Sequence, residues 1–135
     1  MTNIENLEQI ASQVRRDIVR MVHNVQSGHP GGSLGCADFF TAMFNEVMDY
    51  DSNNFSMDGI NEDIFILSNG HISPVLYSVL ARSGQIPIDE LSTFRLLNSR
   101  LQGHPAAKEG LPGVRVSTGS LGQGLSVANG IGLAK

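Results

Sequence analysis

The chain has 135 residues, of which 41% are hydrophobic and 16% charged, a balance typical of one globular domain with a sizeable core. Its net charge of −4, from 13 acidic and 9 basic residues, argues against nucleic acid as a partner. No apolar run reaches the roughly 20 residues that a membrane span needs, and the single cysteine, Cys36, fits a reducing compartment. We therefore expect a cytoplasmic protein without a membrane partner.

The first predicted element is an amphipathic helix that begins at a capping box over residues 2–5. Apolar residues then recur at helical spacing as far as Val25. The segment SGHPGG, residues 27–32, is predicted to be a loop of specific shape because it contains a proline and three glycines. Ser33 is predicted to cap a second helix over residues 34–48.

Residues 63–68, DIFILS, are the best candidate for a strand. They are apolar without alternation, as in a parallel strand that is covered on both faces. Residues 69–71 lead from this strand into a helix predicted over residues 73–82, which ends before Gly84. A strand, a turn and a helix in this order form the ligand-binding edge of an α/β sheet. The predicted fold class is therefore α/β, with residues 1–135 as a single domain.

Two short elements and a glycine-rich turn follow. A short helix is predicted over residues 87–99 and an extended piece over residues 114–117. The turn over residues 119–124 then opens a last helix with apolar positions from Leu125 onward. Glycine lets a ligand approach the main chain, and the first N–H groups of a helix favour an anion. A tight turn that binds nothing is the alternative, since neither the Rossmann nor the P-loop spacing is present.

Three of the four histidines follow a glycine: His29, His71 and His104. Each lies in a loop at the boundary of an element, where a side chain easily reaches a cleft. Imidazole donates to diphosphate or hydroxyl oxygens and exchanges protons near neutral pH. We therefore predict that the three share one pocket with the glycine-rich turn. His23, which falls within helical periodicity, is predicted to be structural.

Other functions remain possible from the residues alone. The three histidines could be ordinary loop residues, or ligands of a zinc ion, although no carboxylate or cysteine lies close to them in sequence. A Ser-His-Asp hydrolase is disfavoured because the turn Gly119-Ser120-Leu121-Gly122 does not supply the GxSxG spacing of a nucleophile elbow. Arg95, Arg100 and Arg115 are candidates to steer a phosphate, but single arginines more often form surface ion pairs.

Four segments, taken in order, resemble the successive N-terminal motifs of the transketolase family: SGHPGGSLGCADF, LSNGHISPVLYSVLA, SRLQGHP and STGSLGQGLSVANGIGLA. The resemblance runs from about Ile10 to Lys135 and is similar to the split type, whose N-terminal half is a separate subunit. It implies the N-terminal portion of the diphosphate-type domain, a helix-rich front part of a parallel-sheet, thiamine-diphosphate-binding fold.

The resemblance also implies a reaction. The family transfers a two-carbon ketol unit from a ketose phosphate to an aldose phosphate, within the pentose phosphate pathway. It uses thiamine diphosphate and a divalent metal such as Mg²⁺. The relevant ligands of this chain would thus be sugar phosphates and the cofactor.

The roles of individual residues carry over from the family's motifs. By resemblance, His29 is catalytic and contacts substrate, His104 binds the donor hydroxyl of the substrate, and His71 lies beside the cofactor. The turn that packs on the aminopyrimidine of the cofactor would consist of Gly119, Ser120 and Leu121. Ser120 stands where many family members have proline, although the split type often has serine.

The family's downstream Gly-Asp-Gly segment, which holds metal and diphosphate, does not occur in the 135 residues. The resemblance therefore implies a truncated section whose metal ligands lie outside this chain. We expect little or no activity alone, a C-terminal transketolase subunit or domain as partner, and a homo-oligomer. A 1-deoxyxylulose-5-phosphate synthase-like enzyme and a non-catalytic assembly or regulatory fragment are the alternatives.

Overall fold

The computed structural model describes residues 3–51 and 56–135. Thr2, the first residue of the predicted capping box, lies outside the described residues. The helices are α1 (Asn3–Val25), α2 (Pro30–Gly35), α3 (Ala37–Ala42), α4 (Ser73–Arg82) and α5 (Gln123–Ala134). A π-helical turn, Met43–Val47, continues α3, and 3₁₀ turns cover Gly70–Ile72, Ile88–Thr93 and Ala107–Glu109. Within these described ranges, no helix combines the length and apolarity that crossing a membrane requires.

The core is built around α4. Every residue of α4 from Ser73 to Ala81 is buried, because α1, α2 and α3 all pack against this one helix. Helix α1 packs against α4 through one face, whose buried apolar residues recur at helical spacing: Ala11, Val14, Ile18 and Met21. The helices predicted over the first 25 residues and over residues 73–82 are thus confirmed, and Gly84 follows α4 at a left-handed φ of +82°.

The loop predicted over residues 27–32 is shorter than expected. Pro30 begins α2, since a proline fits the first helical turn, where its missing N–H has no helical acceptor. Ser33 is therefore not the cap of a helix; its hydroxyl donates to the carbonyl oxygen of His29 at 3.0 Å, inside α2. The prediction of one helix over residues 34–48 is also wrong, because the backbone departs from helical geometry at Cys36, with φ −100° and ψ 0°.

The prediction of a strand over residues 63–68 is wrong for the described part of the chain, which contains no strand. A strand requires a ladder of main-chain hydrogen bonds to a neighbouring strand. Among the described residues, the main chain of residues 63–68 makes only one such bond, from Asp63 N to Asp49 O at 2.7 Å. Residues 114–117, predicted to be extended, are likewise not paired as a strand within the described part of the chain. The helix-rich front part of the predicted fold is confirmed, whereas the parallel sheet is not shown.

The helix predicted over residues 87–99 is a 3₁₀ turn that ends at Thr93. Phe94 leaves helical geometry, with ψ 124°, and Arg95 is left-handed, with φ +59°. These two residues turn the chain away from helical geometry, and the loop that carries His104 follows.

Helix α5 approaches the preceding chain through a glycine. A Cβ on Gly124 would lie 2.6 Å from Ser68 Cα, and the Leu125 N–H donates to Ser68 Oγ at 3.1 Å. We expect Gly124→Ala to lower the free energy of unfolding by up to about 2 kcal/mol. Overpacking costs roughly 1–3 kcal/mol, and the helix propensity of alanine offsets about 1 kcal/mol of this.

The matched control is Gly130→Ala in the same helix, where an added Cβ meets no described atom within 4 Å. It should be neutral or slightly stabilising. Urea denaturation measures both variants, and equal unfolding free energies for the two would contradict the close approach of α5 to Ser68.

Candidate functional site

His29 and His71 meet at the start of two helices. His29 directly precedes Pro30, the first residue of α2, and His71 lies in the 3₁₀ turn that leads into α4. Their ring centroids are 5.1 Å apart, with the rings edge to face at 70°. A Cβ on Gly32 would lie 2.8 Å from Ile72 Cγ2. The absence of a side chain at Gly32 therefore lets α2 come close enough to join the two imidazoles.

The third histidine lies against the glycine-rich turn. A Cβ on Gly119 would lie 3.0 Å from His104 Cδ2, and Gly119 itself has a φ of +154° that side chains rarely adopt. The Thr118 N–H donates to the carbonyl oxygen of Pro105 at 3.2 Å. Residues 104–105 and 118–119 thus form one connected surface, with glycine where the ring approaches.

Gly70 joins these two halves. A Cβ on Gly70 would lie 2.6 Å from the carbonyl oxygen of Thr118, so the turn that carries His71 touches the turn that precedes Gly119. The structure therefore brings His29, His71 and His104 into one neighbourhood with the glycine-rich turn. His23 is exposed near the end of α1.

The glycine-rich turn presents both apolar and polar groups. Leu121 is 69% exposed and Leu125 is 61% exposed. Gly122, at a left-handed φ of +88°, precedes α5 and supplies no side-chain cap of its own. Two of the first N–H groups of α5 are already bonded, that of Gln123 to the carbonyl oxygen of Ser120 at 3.3 Å and that of Leu125 to Ser68 Oγ at 3.1 Å. The turn therefore offers mainly its apolar surface, which suits a flat ring.

The environment lowers the pKa of the His104 imidazole. Partial burial is the largest cause, and the positive charges of Arg95, His29 and His71 act in the same direction. Each of these disfavours the imidazolium form. His104 is therefore more readily neutral than a free imidazole, with one ring nitrogen as a donor and the other as an acceptor.

This pKa shift predicts a pH dependence of stability. Below about pH 6.5 the unfolded imidazole takes up a proton, whereas the folded one resists protonation. The unfolding free energy should therefore fall as the pH drops through that value, and the loss should stop below the folded pKa. Urea denaturation between about pH 5 and 7.5 measures this: the unfolding free energy of His104→Asn should change less with pH than that of the wild type. The control is His23→Asn, at an exposed position, which should keep the pH dependence that His104 causes. The same pH dependence in His104→Asn as in the wild type would contradict the prediction.

Two residues at the site have buried polar atoms that sequence patterns do not reveal. The Thr118 hydroxyl and the Arg95 Nε are buried and have no hydrogen-bond partner in the described structure. Of the candidate arginines, Arg100 pairs with Glu90 and Arg115 pairs with Glu62. Arg95 alone of the three lies beside the histidines, and only its position before the QGHP segment hinted at this in the sequence.

A metal site receives no support from the described ranges 3–51 and 56–135. No three His, Cys, Asp or Glu side chains there form a group that could hold a metal ion. The zinc alternative for His29, His71 and His104 is therefore not favoured.

Comparison with known proteins identifies the class. The family model described as "Transketolase, thiamine diphosphate binding domain" matches residues 7–135. A transketolase of Buchnera aphidicola subsp. Acyrthosiphon pisum is 42% identical over 129 residues, which are 95% of this chain and 19% of that protein. Transketolase 1 of Saccharomyces cerevisiae is 41% identical over 137 aligned residues, with 100% of this chain and 19% of the relative covered.

A solved structure agrees with these matches. Transketolase from Leishmania mexicana superposes with a TM-score of 0.82 at 39% identity, over 95% of this chain and 18% of that chain. The chain therefore belongs to the transketolase family, within its thiamine diphosphate binding domain. It spans about a fifth of the length of these relatives. Neither a 1-deoxyxylulose-5-phosphate synthase-like enzyme nor a non-catalytic fragment is favoured by these matches.

The geometry fits thiamine diphosphate independently of the matches. The exposed Leu121 offers apolar surface for a heteroaromatic ring, and the paired imidazoles of His29 and His71 offer ring donors. The buried Thr118 hydroxyl lacks a partner among the described residues. These groups are those that a polar, flat cofactor would satisfy.

Proposed function

We propose that this chain supplies the N-terminal portion of a transketolase site, which transfers a two-carbon ketol unit from a ketose phosphate to an aldose phosphate. The observation that carries the proposal is the junction of Gly70 with Thr118. It joins the His29–His71 pair, with ring centroids 5.1 Å apart, to the Gly119–His104 contact. The supporting comparison is the match to the thiamine diphosphate binding domain over residues 7–135.

In this proposal His29 is the catalytic residue and, with His104, contacts substrate. Both side chains are exposed at the surface of the site. The His29 imidazole would take and return a proton at a substrate hydroxyl. His104, whose pKa is lowered, would bind a second hydroxyl in its neutral form, since a neutral imidazole offers a donor and an acceptor at once.

The proposed cofactor-binding residues are His71, Gly119, Ser120 and Leu121. Thiamine diphosphate supplies the nucleophilic carbon when it is bound. The chain's own residues would bind and orient it: Leu121 would cover one face of the ring and Gly119 would leave the main chain open to close approach. His71 would donate from its imidazole to the cofactor.

The remaining parts of the proposal concern what completes the site. A divalent metal such as Mg²⁺ would be held by ligands outside this chain. The apolar residues exposed on α5, Leu125, Val127 and Leu133, support a C-terminal transketolase subunit or domain and a homo-oligomer as partners. The half-buried free cysteine Cys36 is consistent with a reducing, cytoplasmic setting, and the proposed ketol transfer would place the protein in the pentose phosphate pathway.

Calorimetric titration of thiamine diphosphate and Mg²⁺ tests this proposal. We expect binding when a C-terminal transketolase subunit is present and none to the isolated chain. His71→Ala should weaken binding by about tenfold or more, the loss of roughly one charge-assisted hydrogen bond. His23→Ala, on the exposed end of α1, is the matched control.

Each unexpected result has a definite meaning. Equal binding by His71→Ala and wild type would overturn the assignment of His71. Binding by the isolated chain, or ketol transfer by it, would overturn the requirement for a partner. No binding under either condition would overturn the assignment of thiamine diphosphate as the cofactor.

A further inference from the structure

We infer that Arg95 is a positioning residue that clamps the loop before His29 to the loop before His104. The inference rests on the proposed function only for the role of His29 and His104, which is to contact substrate. The clamp itself is a property of the described contacts, and it can be tested without cofactor.

A single guanidinium touches both loops. Arg95 Nη1 donates to Ser27 Oγ at 2.9 Å, and Ser27 lies two residues before His29. On the other side, a Cβ on Gly103 would lie 2.7 Å from Arg95 Cζ. Gly103 directly precedes His104, so the planar group packs against a main chain that has no side chain at that point.

The neighbouring groups hold the guanidinium in place. Arg95 Cζ lies 5.6 Å from the centroid of the Phe94 ring, and Phe94 is only 1% exposed. The Arg95 N–H donates to the carbonyl oxygen of Leu101 at 2.9 Å, which closes the loop over residues 95–101. An arginine stacked on a fixed ring keeps its donors in a set direction.

Two features of Arg95 are unfavourable by themselves. Its φ of +59° lies in the left-handed region, which residues with a Cβ disfavour, and its Nε is buried without an acceptor among the described residues. Its Nη1 donates to a neutral hydroxyl, whereas nearby Arg100 pairs with the carboxylate of Glu90. If Arg95 served stability alone, we would expect it to have a carboxylate partner as Arg100 does, because such a charged pair is stronger than a bond to a neutral hydroxyl.

The charge of Arg95 also reaches the site. It lowers the pKa of His104, together with partial burial and the charges of His29 and His71. Arg95 therefore acts on His104 in two ways, through the position of the loop and through the protonation of the ring.

The test compares variants of the folded chain by nuclear magnetic resonance. Arg95→Gln should raise the pKa of His104 toward that of a free imidazole and abolish the proton–proton contacts that the side chain of residue 95 makes with residues 27 and 103. Arg95→Lys keeps the charge but loses the planar fork, so the pKa of His104 should stay low while these contacts are lost. Arg100→Gln, in the same segment, is the matched control and should change neither.

The outcomes separate the clamp from a general loss of structure. If Arg95→Gln does not fold, Ser27→Ala removes only the hydroxyl acceptor and should still weaken the contact between residue 27 and the side chain of Arg95. A folded Arg95→Gln chain with the wild-type pKa of His104 and the wild-type contacts would overturn the inference, as would an intact contact in Ser27→Ala. Because no cofactor is added, these results stand whether or not the calorimetric titration detects thiamine diphosphate binding.

Discussion

Replacement of Asp17 by alanine should lower the free energy of unfolding by about 3–5 kcal/mol, the usual effect of removing one partner from a buried ion pair. Asp17 is 4% exposed. Its carboxylate accepts from Arg82 Nε at 2.7 Å and from Arg82 Nη2 at 2.8 Å, and from Ser78 Oγ at 3.0 Å. These bonds tie α1 to α4 at the level of the core.

The size of the effect follows from what alanine leaves behind. The Arg82 side chain is only 19% exposed, so its guanidinium would lose its counter-charge without gaining full hydration. The hydrogen bond to Asp17 is also the main cause of the raised pKa of Arg82. Ser78, which is fully buried, would keep an unpaired hydroxyl. Each loss adds to the desolvation that folding must offset.

Asp38→Ala provides the matched control. Asp38 pairs with Arg15 on the surface of the same helical layer, and its side chain is 74% exposed. Exposed pairs of this kind contribute at most about 1 kcal/mol. Urea denaturation at neutral pH measures both variants. Unfolding free energies within about 1 kcal/mol of each other would show that the Asp17–Arg82 pair is not a structural link between α1 and α4.

Local sequence patterns were sufficient for α1 and α4 because their apolar spacing and terminal signals lie within the helices themselves. Pro30 shows where such reasoning fails. A proline both ends a helix and begins one, and the choice depends on whether α2 can pack beside Ile72. That contact depends on the missing side chain of Gly32, which a linear pattern does not relate to a residue 40 positions later.

The strand predicted over residues 63–68 failed for a different reason. An apolar run reports burial, and Leu67 is indeed buried at 5% exposure. Strand structure also needs a neighbouring chain with free N–H and C=O groups, and the described residues do not supply one. Partial burial was therefore predictable from the run, because residues 64–66 are half-buried beside Leu67, whereas pairing was not.

The candidate site was predictable in composition but not in construction. The repeated Gly-His pairs indicated which imidazoles to group, and His29 and His71 do lie together. The clamp formed by Arg95 was not predictable, because it depends on a left-handed φ. Glycine and asparagine are the residues that usually indicate such a φ, and neither occupies this position. Long-range approaches such as that of Gly70 to Thr118 likewise depend on the packed structure.

Gly70→Ala should separate the two halves of the site and remove thiamine diphosphate binding in the presence of the partner subunit. The added Cβ would lie 2.6 Å from the carbonyl oxygen of Thr118 and 2.7 Å from its Oγ1. A contact below 3 Å with main chain cannot be relieved by rotation of a side chain. The turn that carries His71 must therefore move away from Gly119, at a stability cost of about 1–3 kcal/mol.

The matched control is Gly31→Ala, which is also close to a site histidine but whose added Cβ would meet no described atom within 4 Å. It should keep both stability and binding. Calorimetric titration and urea denaturation measure the two variants side by side. If Gly70→Ala bound the cofactor as tightly as Gly31→Ala, the Gly70–Thr118 contact would not be what assembles the site, and His71 and His104 would have to act independently of each other.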